Sequence, residues 1–357
     1  MKILLVHLLN NYTGSPKVLS TVINLLTEKS DIKISLLTSK TDGFLSDLKN
    51  VQYHYNGYFW TDNRFLLALV FAFAQIKMFF LVLFGEYDVV YINTTLPFAA
   101  AFAAKIKKIK VIYHVHEIYM TPGFVKRLYY RIMNKCANSI ICVSHYVQEH
   151  LPFGKERSCV IYNPIISTND VSDNNNYLRK KFDDKIIFMP CSLKDYKGVN
   201  QFVELANQNS DFTFWLLCST SLANINEYFS KIPIPKNLTF FEKRKKLSDL
   251  YHQSAIVTNL SLPDKCIETF GLTLIEGFDT YTPAIAPNCG GPKEIIENGK
   301  NGFLINPYDL NEVSNAIHLI MNDFETYCQF SAYAKQTIEK FDINLFKEKL
   351  YSKIGII

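Results

Sequence analysis

The sequence predicts an α/β protein built from two doubly wound, Rossmann-like domains. Short apolar runs rich in Ile, Val and Tyr alternate with helical stretches, the order expected when helices connect parallel strands. Most of these runs are continuously apolar, which is typical of strands buried on both faces. A length of 357 residues suits two domains of ordinary size.

Eleven runs carry the strand prediction. In the first half of the chain they are residues 2–8, 33–38, 87–92, 110–114, 139–143 and 158–162. In the second half they are residues 185–190, 212–218, 238–241, 255–260 and 283–286. Each half therefore supplies enough strands for a sheet of its own.

The polar stretch from Ser167 to Asn176 carries no core pattern and is the predicted linker. It divides the chain into an N-terminal domain over residues 1–166 and a C-terminal domain over residues 167–340. Residues 341–357 are predicted to form a helix that returns to the N-terminal domain. We expect the carboxyl ends of both sheets to face a cleft between the domains, since doubly wound folds bind ligands beyond these ends.

Composition and charge narrow the class of protein. The eight cysteines include no C-x-x-C pair, which indicates free thiols in a reducing compartment. The N-terminal strand pattern lacks a small-residue cleavage site, so we expect no signal peptide and a cytoplasmic location. Residues 1–165 carry 18 Lys and Arg against 10 Asp and Glu, which favours an acidic surface as a partner. No nucleic-acid-binding motif is present, so no nucleic acid partner is expected.

Residues 65–84 form an apolar run in which Gln75 and Lys77 are the strongly polar members. Thr61-Asp62 is the predicted N-cap of this helix and Gly85 its predicted stop. Its length allows a membrane span. Its place between two strands of one sheet also allows a buried core or cleft helix, or a helix lying at a membrane interface. These three interpretations stay open at this point.

A second stretch combines basic and aromatic residues, which suit an anionic bilayer surface. The alternative is an ordinary solvated helix face. The members of the stretch are Lys105, Lys107, Lys108, Lys110, Phe124, Lys126, Arg127, Tyr129, Tyr130, Arg131 and Lys135.

Glu268 and Glu276 lie on either side of a Phe-Gly step that can open a helix, which would put Glu276 about two turns along. The glycine pair Gly290-Gly291 follows. Two carboxylates with a helix N-terminus between them suit a ligand that has hydroxyls at both ends and phosphate in the middle. The chain has neither G-x-G-x-x-G nor a Walker A sequence, so NAD enzymes and P-loop NTPases are disfavoured.

The stretch from Pro263 to Glu276 resembles the E-x7-E signature of the retaining glycosyltransferases of family 4. Further similarities lie at Val143-Ser144, Val160 to Pro164, Lys197-Gly198, Gly290 to Ile296 and Gly299 to Leu304. The resemblance implies the GT-B fold, in which the second of two Rossmann-like domains binds most of a nucleotide-sugar donor.

The resemblance also implies roles for the phosphate-binding residues. A leaving nucleoside diphosphate gains negative charge as the glycosidic bond breaks. Lys197 and the N–H groups of Gly271, Leu272 and Thr273, after Phe270, would stabilise that charge. No metal and no cofactor are expected, because the chain has no Asp-x-Asp at a strand end.

The other implied roles concern sugars. Glu268 would bind hydroxyls of the donor sugar, and Glu276 would accept hydrogen bonds from the ribose. His116 is favoured over His114 as the histidine that faces the donor sugar, because Glu117 follows it.

Three positions depart from the family pattern or match it in part. Gly14 matches the first glycine of a Gly-Gly pair near donor phosphate, but Ser15-Pro16 replace the rest. Ser192 stands where many members have a pyrophosphate-binding Arg, and Lys194 is a candidate substitute. Tyr281-Thr282-Pro283 replaces a G-x-P.

The sequence thus predicts a retaining, metal-independent glycosyltransferase acting on a lipid-linked or polysaccharide acceptor. Its predicted location is the cytoplasmic face of the cell membrane, as a peripheral protein bound to an anionic surface. Two alternatives stay open: another GT-B enzyme such as a nucleotide-sugar epimerase, or a non-catalytic family member that acts as a binding partner.

Overall fold

The computed structural model describes residues 1–118, 123–167 and 175–356, which form two compact units. One unit comprises Met1–Tyr162 with Asn344–Ile357, and the other comprises Asn163–Ile343. Residues 168–174 of the predicted linker lie outside the described residues.

The N-terminal unit contains a parallel sheet of seven strands in the order β3-β2-β1-β4-β5-β6-β7. The strands are β1 Lys2–Val6, β2 Lys33–Thr38, β3 Val51–Tyr55, β4 Val89–Asn93, β5 Lys110–Val115, β6 Ser139–Cys142 and β7 Ser158–Val160. In the central register Leu5 lies opposite Leu36 on one side and Tyr91 on the other. From β1 the chain extends the sheet in one direction through β2 and β3. It then returns to the other side of β1 and extends the sheet in the opposite direction from β4 to β7, which is the predicted double winding.

Helices connect these strands. They are α1 Gly14–Thr27, α2 Arg64–Phe84, α3 Phe98–Ile106, α4 Phe124–Cys136 and α5 His145–Glu149. Right-handed crossovers place α1 on one face of the sheet and α2, α3 and α4 on the other. On that second face α2 packs against α3, and α3 against α4.

The C-terminal helix Ile343–Ile354 packs against the N-terminal unit. Its Tyr351 hydroxyl donates to the carbonyl of Leu25 at 2.6 Å, and Lys110 Nζ donates to the carbonyl of Ile354 at 3.0 Å. These bonds tie α1 and β5 to the end of the chain.

Helix α2 matches the predicted apolar helix but has a different cap. The side chain of Asn63, rather than Thr61-Asp62, accepts hydrogen bonds from the first N–H groups, and Gly85 ends the helix as predicted. Within the described residues, α2 is the one helix long and apolar enough to cross a membrane by length and composition. In this fold it is the crossover between β3 and β4.

The C-terminal unit contains a parallel sheet of six strands in the order β10-β9-β8-β11-β12-β13. The strands are β8 Ile186–Cys191, β9 Thr213–Cys218, β10 Leu238–Phe241, β11 Ile256–Thr258, β12 Ala284–Pro287 and β13 Gly302–Ile305. The helices are α6 Asn175–Asp184, α7 Val199–Gln208, α8 Leu222–Tyr228, α9 Ser248–Gln253, α10 Leu272–Asp279, α11 Pro292–Ile295, α12 Leu310–Ile320 and α13 Phe324–Thr337. The central strand β8 pairs with β9 and β11, where Phe188 lies opposite Trp215 and Val257.

The predicted class, two parallel α/β units, is confirmed, but two strands, β3 and β13, lie outside the eleven predicted runs. Both β3 and β13 lie at an edge of their sheet. β3 contains no fully buried residue, and β13 begins with Gly302 and buries only its two ends. β3 therefore lacks the continuous apolar run by which the other strands were predicted, whereas β13 is a short apolar run of four residues that was not recognised as a strand.

Candidate functional site

The candidate site of the C-terminal unit begins at the carboxyl edge of its sheet. After β8 the chain makes a short 3-10 turn, Asp195–Lys197, before α7. Gly198 follows with a φ of +76°, and a Cβ atom there would lie 2.2 Å from the carbonyl oxygen of Leu260. Only glycine fits against the loop after β11, so this close approach fixes the position of Lys197.

Lys197 forms an ion pair with Glu268. Its Nζ atom lies 2.9 Å from Oε2, and each side chain keeps 21% of its surface exposed. Asn259, the residue after β11, donates from Nδ2 to the same carboxylate oxygen at 3.2 Å. Three separate segments of the unit thus meet at one carboxylate.

The ion pair determines the charge state of both partners. Burial alone would raise the pKa of the Glu268 carboxyl, but the charge of Lys197 and hydrogen bonds from Asn259 and Phe270 N–H hold that pKa below its ordinary value. Burial would likewise lower the pKa of Lys197, but the Glu268 carboxylate raises it above its ordinary value. At neutral pH the site therefore offers one cation and one hydrogen-bond acceptor.

The glycine pair holds the backbone of Glu268. The N–H of Gly291 donates to the Glu268 carbonyl at 2.9 Å. A Cβ atom at Gly290 would lie 2.2 Å from that carbonyl oxygen, and one at Gly291 would lie 2.4 Å from Cα of Phe270. The chain before α11 can pack this closely only with glycine at both positions.

Helix α10 begins at Leu272, four residues after Glu268. Gly271 is its N-cap, with a φ of +110°, and Leu272 and Thr273 form the first turn. The first N–H groups of a helix have no partner within it, so this end favours an anion. Phe270 is 3% exposed and packs edge-on against Phe341. Its side chain therefore belongs to the core, and only its backbone lies at the site.

Glu276 lies in the second turn of α10, as the spacing predicts, and is buried. The hydroxyl of Tyr251, from α9, donates to Glu276 Oε2 at 2.8 Å. Burial, followed by the neighbouring carboxylate, raises the pKa of that hydroxyl well above its ordinary value. Tyr251 thus remains a donor, and its hydrogen bond fixes the orientation of the Glu276 carboxylate.

Lys181 supports the end of α10. It is buried, and its Nζ atom donates to the carbonyl of Thr280 and to Thr282 Oγ1, both at 2.6 Å. Tyr281 between them has a φ of +58°, in the left-handed region that favours glycine. Glycine adopts this conformation at no steric cost, whereas this chain adopts it with tyrosine.

Ser192 lies just beyond β8, where its carbonyl accepts a hydrogen bond from the N–H of Lys194 at 2.8 Å. The side chain of Lys194 is exposed. Of the two lysines considered in this loop, Lys194 and Lys197, it is therefore Lys197 that contacts Glu268.

The N-terminal unit has its own polar cluster, centred on Asn93 at the end of β4. Asn93 donates from Nδ2 to the carbonyl of Ser15 at 3.2 Å and to His7 Nδ1 at 3.1 Å, and its Oδ1 lies 2.9 Å from His116 Nε2. Because a carbonyl can only accept, the amide orientation is fixed, and His116 carries its proton on Nε2. Gly14 is the first residue of α1, beside Ser15.

The histidines of this cluster are neutral. Burial lowers the pKa of His7 to about 4, and burial together with His114 and His7 holds the pKa of His116 well below its ordinary value. His114 lies within β5, is fully buried, and pairs through Nδ1 with the Tyr91 hydroxyl at 2.8 Å. His116 lies just beyond the strand.

Three residues of these two clusters, Asn93, Asn259 and Tyr251, were not predicted from the sequence. Asn93 ends β4 and Asn259 directly follows β11, so a polar residue at the carboxyl end of a predicted strand was the available signal. Tyr251 gave no such signal. In the described parts of the chain, no group of three His, Cys, Asp or Glu side chains is placed to hold a metal ion.

Two family models match the chain. Residues 14–168 match Glycosyltransferase Family 4, and residues 171–337 match Glycosyl transferases group 1. The chain belongs to these glycosyltransferases. The matches fall on the N-terminal and C-terminal units in turn.

Solved structures confirm the GT-B fold of this glycosyltransferase. The crystal structure of Anabaena HepE in complex with UDP-glucose superposes with a TM-score of 0.80 over 100% of both chains, at 20% sequence identity. At this identity the likeness concerns the fold alone.

Curated relatives of the glycosyltransferase match only part of this chain and only part of their own length. An uncharacterized glycosyltransferase of Methanocaldococcus jannaschii is 27% identical over 60% of this chain and 58% of that protein. A probable sucrose-phosphate synthase of Oryza sativa is 26% identical over 43% of this chain and 14% of that protein. The matched stretch thus covers less than two thirds of either relative.

Proposed function

We propose that this chain transfers a sugar from a nucleoside diphosphate sugar to an acceptor hydroxyl, with retention of the anomeric configuration. The single observation that carries the proposal is the Lys197–Glu268 ion pair in front of the N-terminus of α10. It puts a cation, a carboxylate and helix N–H groups together at the carboxyl edge of a parallel sheet. Because HepE holds UDP-glucose, a uridine nucleotide is the first donor to test.

Each group has a place in this reaction. Lys197 and the first N–H groups of α10 stabilise the charge on the leaving diphosphate, so no metal ion is required. Glu268 binds donor-sugar hydroxyls, and Glu276 accepts hydrogen bonds from the ribose. The bond from the anomeric carbon to the diphosphate oxygen breaks, and a bond to the acceptor oxygen forms on the same face. The acceptor proton leaves with the diphosphate.

The N-terminal unit contributes residues of its own to the proposal. We assign His116 a catalytic role and Gly14 a donor-binding role. The support is that Asn93 holds both the imidazole of His116 and the first turn of α1, which starts at Gly14. One amide thus fixes two segments that carry proposed site residues.

The proposed acceptor is a lipid-linked or polysaccharide intermediate of cell-surface glycan synthesis, used at the cytoplasmic face of the membrane. The excess of basic residues in the first 165 residues supports this location. The proposed location rests on a different part of the molecule from the proposed reaction.

A thermal-shift screen tests donor binding directly. A nucleotide at one hundred times its Kd should stabilise the protein by about 2.7 kcal/mol. Glu276→Ala should reduce the response to UDP, whereas the exposed Glu325→Ala on α13 should not. Absence of a response to every nucleoside diphosphate and nucleotide sugar would overturn the proposal.

Product analysis separates the reaction from its alternatives. A transferase releases free UDP only when an acceptor is present, retains the anomeric configuration by NMR, and keeps its rate in EDTA. An epimerase would convert the donor sugar without an acceptor. Serine at the position of the family arginine favours a third outcome, in which a non-catalytic member binds UDP but turns nothing over.

A further inference from the structure

Helix α2 exposes an apolar stripe along its whole length. The exposed side chains follow a spacing of three and four residues, which puts them on one face of the helix. They are Phe65, Leu66, Leu69, Phe73, Ile76, Phe80 and Phe84, with exposed fractions between 40% and 78%. The helix is about 30 Å long at 1.5 Å per residue, so the stripe is a long surface rather than a spot.

The neighbouring helices extend this surface. In α3, Phe102 and Ile106 are more than half exposed on one face, and in α4 Phe124 is 76% and Leu128 39% exposed. We call the exposed sides of α2, α3 and α4 the apolar–basic face. It exceeds the scattered single apolar residues that monomeric proteins normally expose.

The charge of the apolar–basic face has one sign. Helices α2, α3 and α4 contain no Asp or Glu. They contain seven basic residues, which are Arg64, Lys77, Lys105, Lys126, Arg127, Arg131 and Lys135. On α4 the exposed Arg127, Arg131 and Lys135 follow the same helical face as Phe124 and Leu128.

The opposite side of α2 is fixed to the fold. Val70, Ala74, Met78 and Val82 are buried there. Between them Gln75 donates from Nε2 to the carbonyl of Leu96, and its Oε1 accepts from the N–H of Ala99, both at 3.1 Å. The helix therefore presents its stripe without leaving the sheet.

We propose that the apolar–basic face binds the surface of an anionic lipid bilayer, with α2 lying in the plane of the interface. The proposal rests on the membrane location proposed above and names the surface that produces it. Exposed Phe, Leu and Ile side chains suit the acyl boundary, and the surrounding cations suit anionic headgroups.

Charge argues against a second copy as the occupant. A symmetric dimer through this face would bring the same basic residues of two chains together. A bilayer supplies the opposite charge and the apolar phase at once. A nucleic acid would supply the charge but no partner for Leu69 and Ile76.

Vesicle sedimentation with the full chain tests the proposal. We expect binding to vesicles of phosphatidylcholine with 30% phosphatidylglycerol, weaker binding to phosphatidylcholine alone, and release at 0.5 M NaCl. Leu69→Gln with Ile76→Gln should weaken binding about tenfold or more, since both side chains are more than half exposed and lose apolar contact with the bilayer. Arg127→Gln with Arg131→Gln should also weaken it, by roughly 25-fold, because each basic residue near an anionic surface contributes roughly fivefold.

Matched controls change the same chemistry elsewhere. Leu319→Gln with Leu345→Gln removes two exposed apolar side chains from other helices, and Lys231→Gln with Lys236→Gln removes two exposed charges from the C-terminal unit. Both controls should bind like the wild type. Three outcomes would overturn the proposal. All four variants could bind vesicles equally well, or the chain could bind an oligonucleotide but not vesicles. The third is that the chain forms a dimer and the α2 substitutions dissociate it.

Donor binding distinguishes this proposal from the proposed reaction. The thermal shift with UDP is measured on the same four variants, and it should be unchanged in all of them. If a variant loses vesicle binding but keeps its UDP shift, the substitution has affected the apolar–basic face and not the donor site. If the chain binds vesicles but shows no UDP shift, the proposed reaction fails and the membrane proposal stands.

Discussion

The ammonium of Lys197 lies 2.9 Å from the carboxylate of Glu268. A donor that reaches the N-terminus of α10 therefore meets a cation already paired with a carboxylate. The ion pair keeps Lys197 charged and holds it in place before any ligand arrives.

We predict that Lys197→Gln lowers kcat/KM on the order of 10²–10³, because the leaving diphosphate loses its cationic partner. Steady-state transfer to the acceptor is the measurement. Lys194→Gln, which changes an exposed lysine of the same loop, is the control and should retain activity. A Lys197→Gln enzyme with wild-type turnover would contradict the role of the pair.

The ion pair also predicts a pH range. The lowered pKa of Glu268 means that its contribution to stability is present above the ordinary carboxyl range and is lost as pH falls through the lowered pKa. The raised pKa of Lys197 means that its contribution is present below 10.5 and is lost as pH rises through the raised pKa. Between pH 6 and 9 the stability difference between wild type and Glu268→Gln in urea should stay constant. A steep change of that difference within this range would contradict a pre-formed ion pair.

Tyr251→Phe tests the orientation of Glu276. The substitution removes the donor to Oε2 and keeps the ring that packs edge-on against Phe188. We expect UDP to bind about tenfold more weakly, with a loss of stability of about 1 kcal/mol. Tyr53→Phe, which removes a partly buried hydroxyl bonded to the Leu45 carbonyl in the other unit, controls for the loss of a hydrogen-bonded phenol hydroxyl. Isothermal titration with UDP that fails to separate the two variants would show that Tyr251 has only a structural role.

Gly290→Ala and Gly299→Ala separate backbone strain from steric overlap. Both glycines have a left-handed φ, +67° and +79°. A Cβ atom at Gly290 would meet the Glu268 carbonyl at 2.2 Å, whereas one at Gly299 would meet nothing within 4 Å. We expect Gly299→Ala to cost about 1 kcal/mol of unfolding free energy from strain alone. Gly290→Ala should cost roughly 3 kcal/mol or more and abolish transfer. Equal urea midpoints for the two variants would refute this account.

The buried histidines predict a loss of stability in mild acid. His7 has its pKa lowered to about 4 and His114 to about 3, with burial as the cause in both. The unfolded chain takes up these protons below about pH 6.5 and the folded chain does not, so stability falls as pH falls from there. Each histidine adds roughly 1.4 kcal/mol per pH unit to that slope. Urea unfolding at pH 7.5, 6.0 and 5.0 should therefore show a shallower slope for His114→Asn, and an unchanged slope would count against the assignment.

The sequence was informative where function depends on residues close together in the chain. The spacing of Glu268 and Glu276, the Phe-Gly step and the Lys-Gly pair all lie within short segments, and the structure places them at one edge of one sheet. Asn259 and Tyr251 escaped prediction because their importance comes from contacts with Glu268 and Glu276, which depend on how α9 and the loop after β11 pack.

The same reasoning explains the fold. Continuous apolar runs identified the central strands, which are buried on both faces. The edge strand β3 pairs on one side only, so the exposed Gln52 and the partly exposed His54 are tolerated in it. Asn63, which was not predicted as the cap, takes that role because its side chain accepts hydrogen bonds from two N–H groups.

Gln75 has a consequence for the energetics of α2. It stands near the middle of the helix Arg64–Phe84, so a helix that crossed a bilayer would carry this amide to the hydrocarbon midplane. In the fold the amide donates to the carbonyl of Leu96, just before α3, and accepts from the N–H of Ala99 in the first turn of α3. Withdrawing α2 from the sheet would break those bonds and leave the amide without water or protein around it, which costs several kcal/mol. This one side chain thus adds a cost to insertion that surface contact does not carry, so we expect attachment through this helix to be reversible and to follow the lipid composition of the membrane.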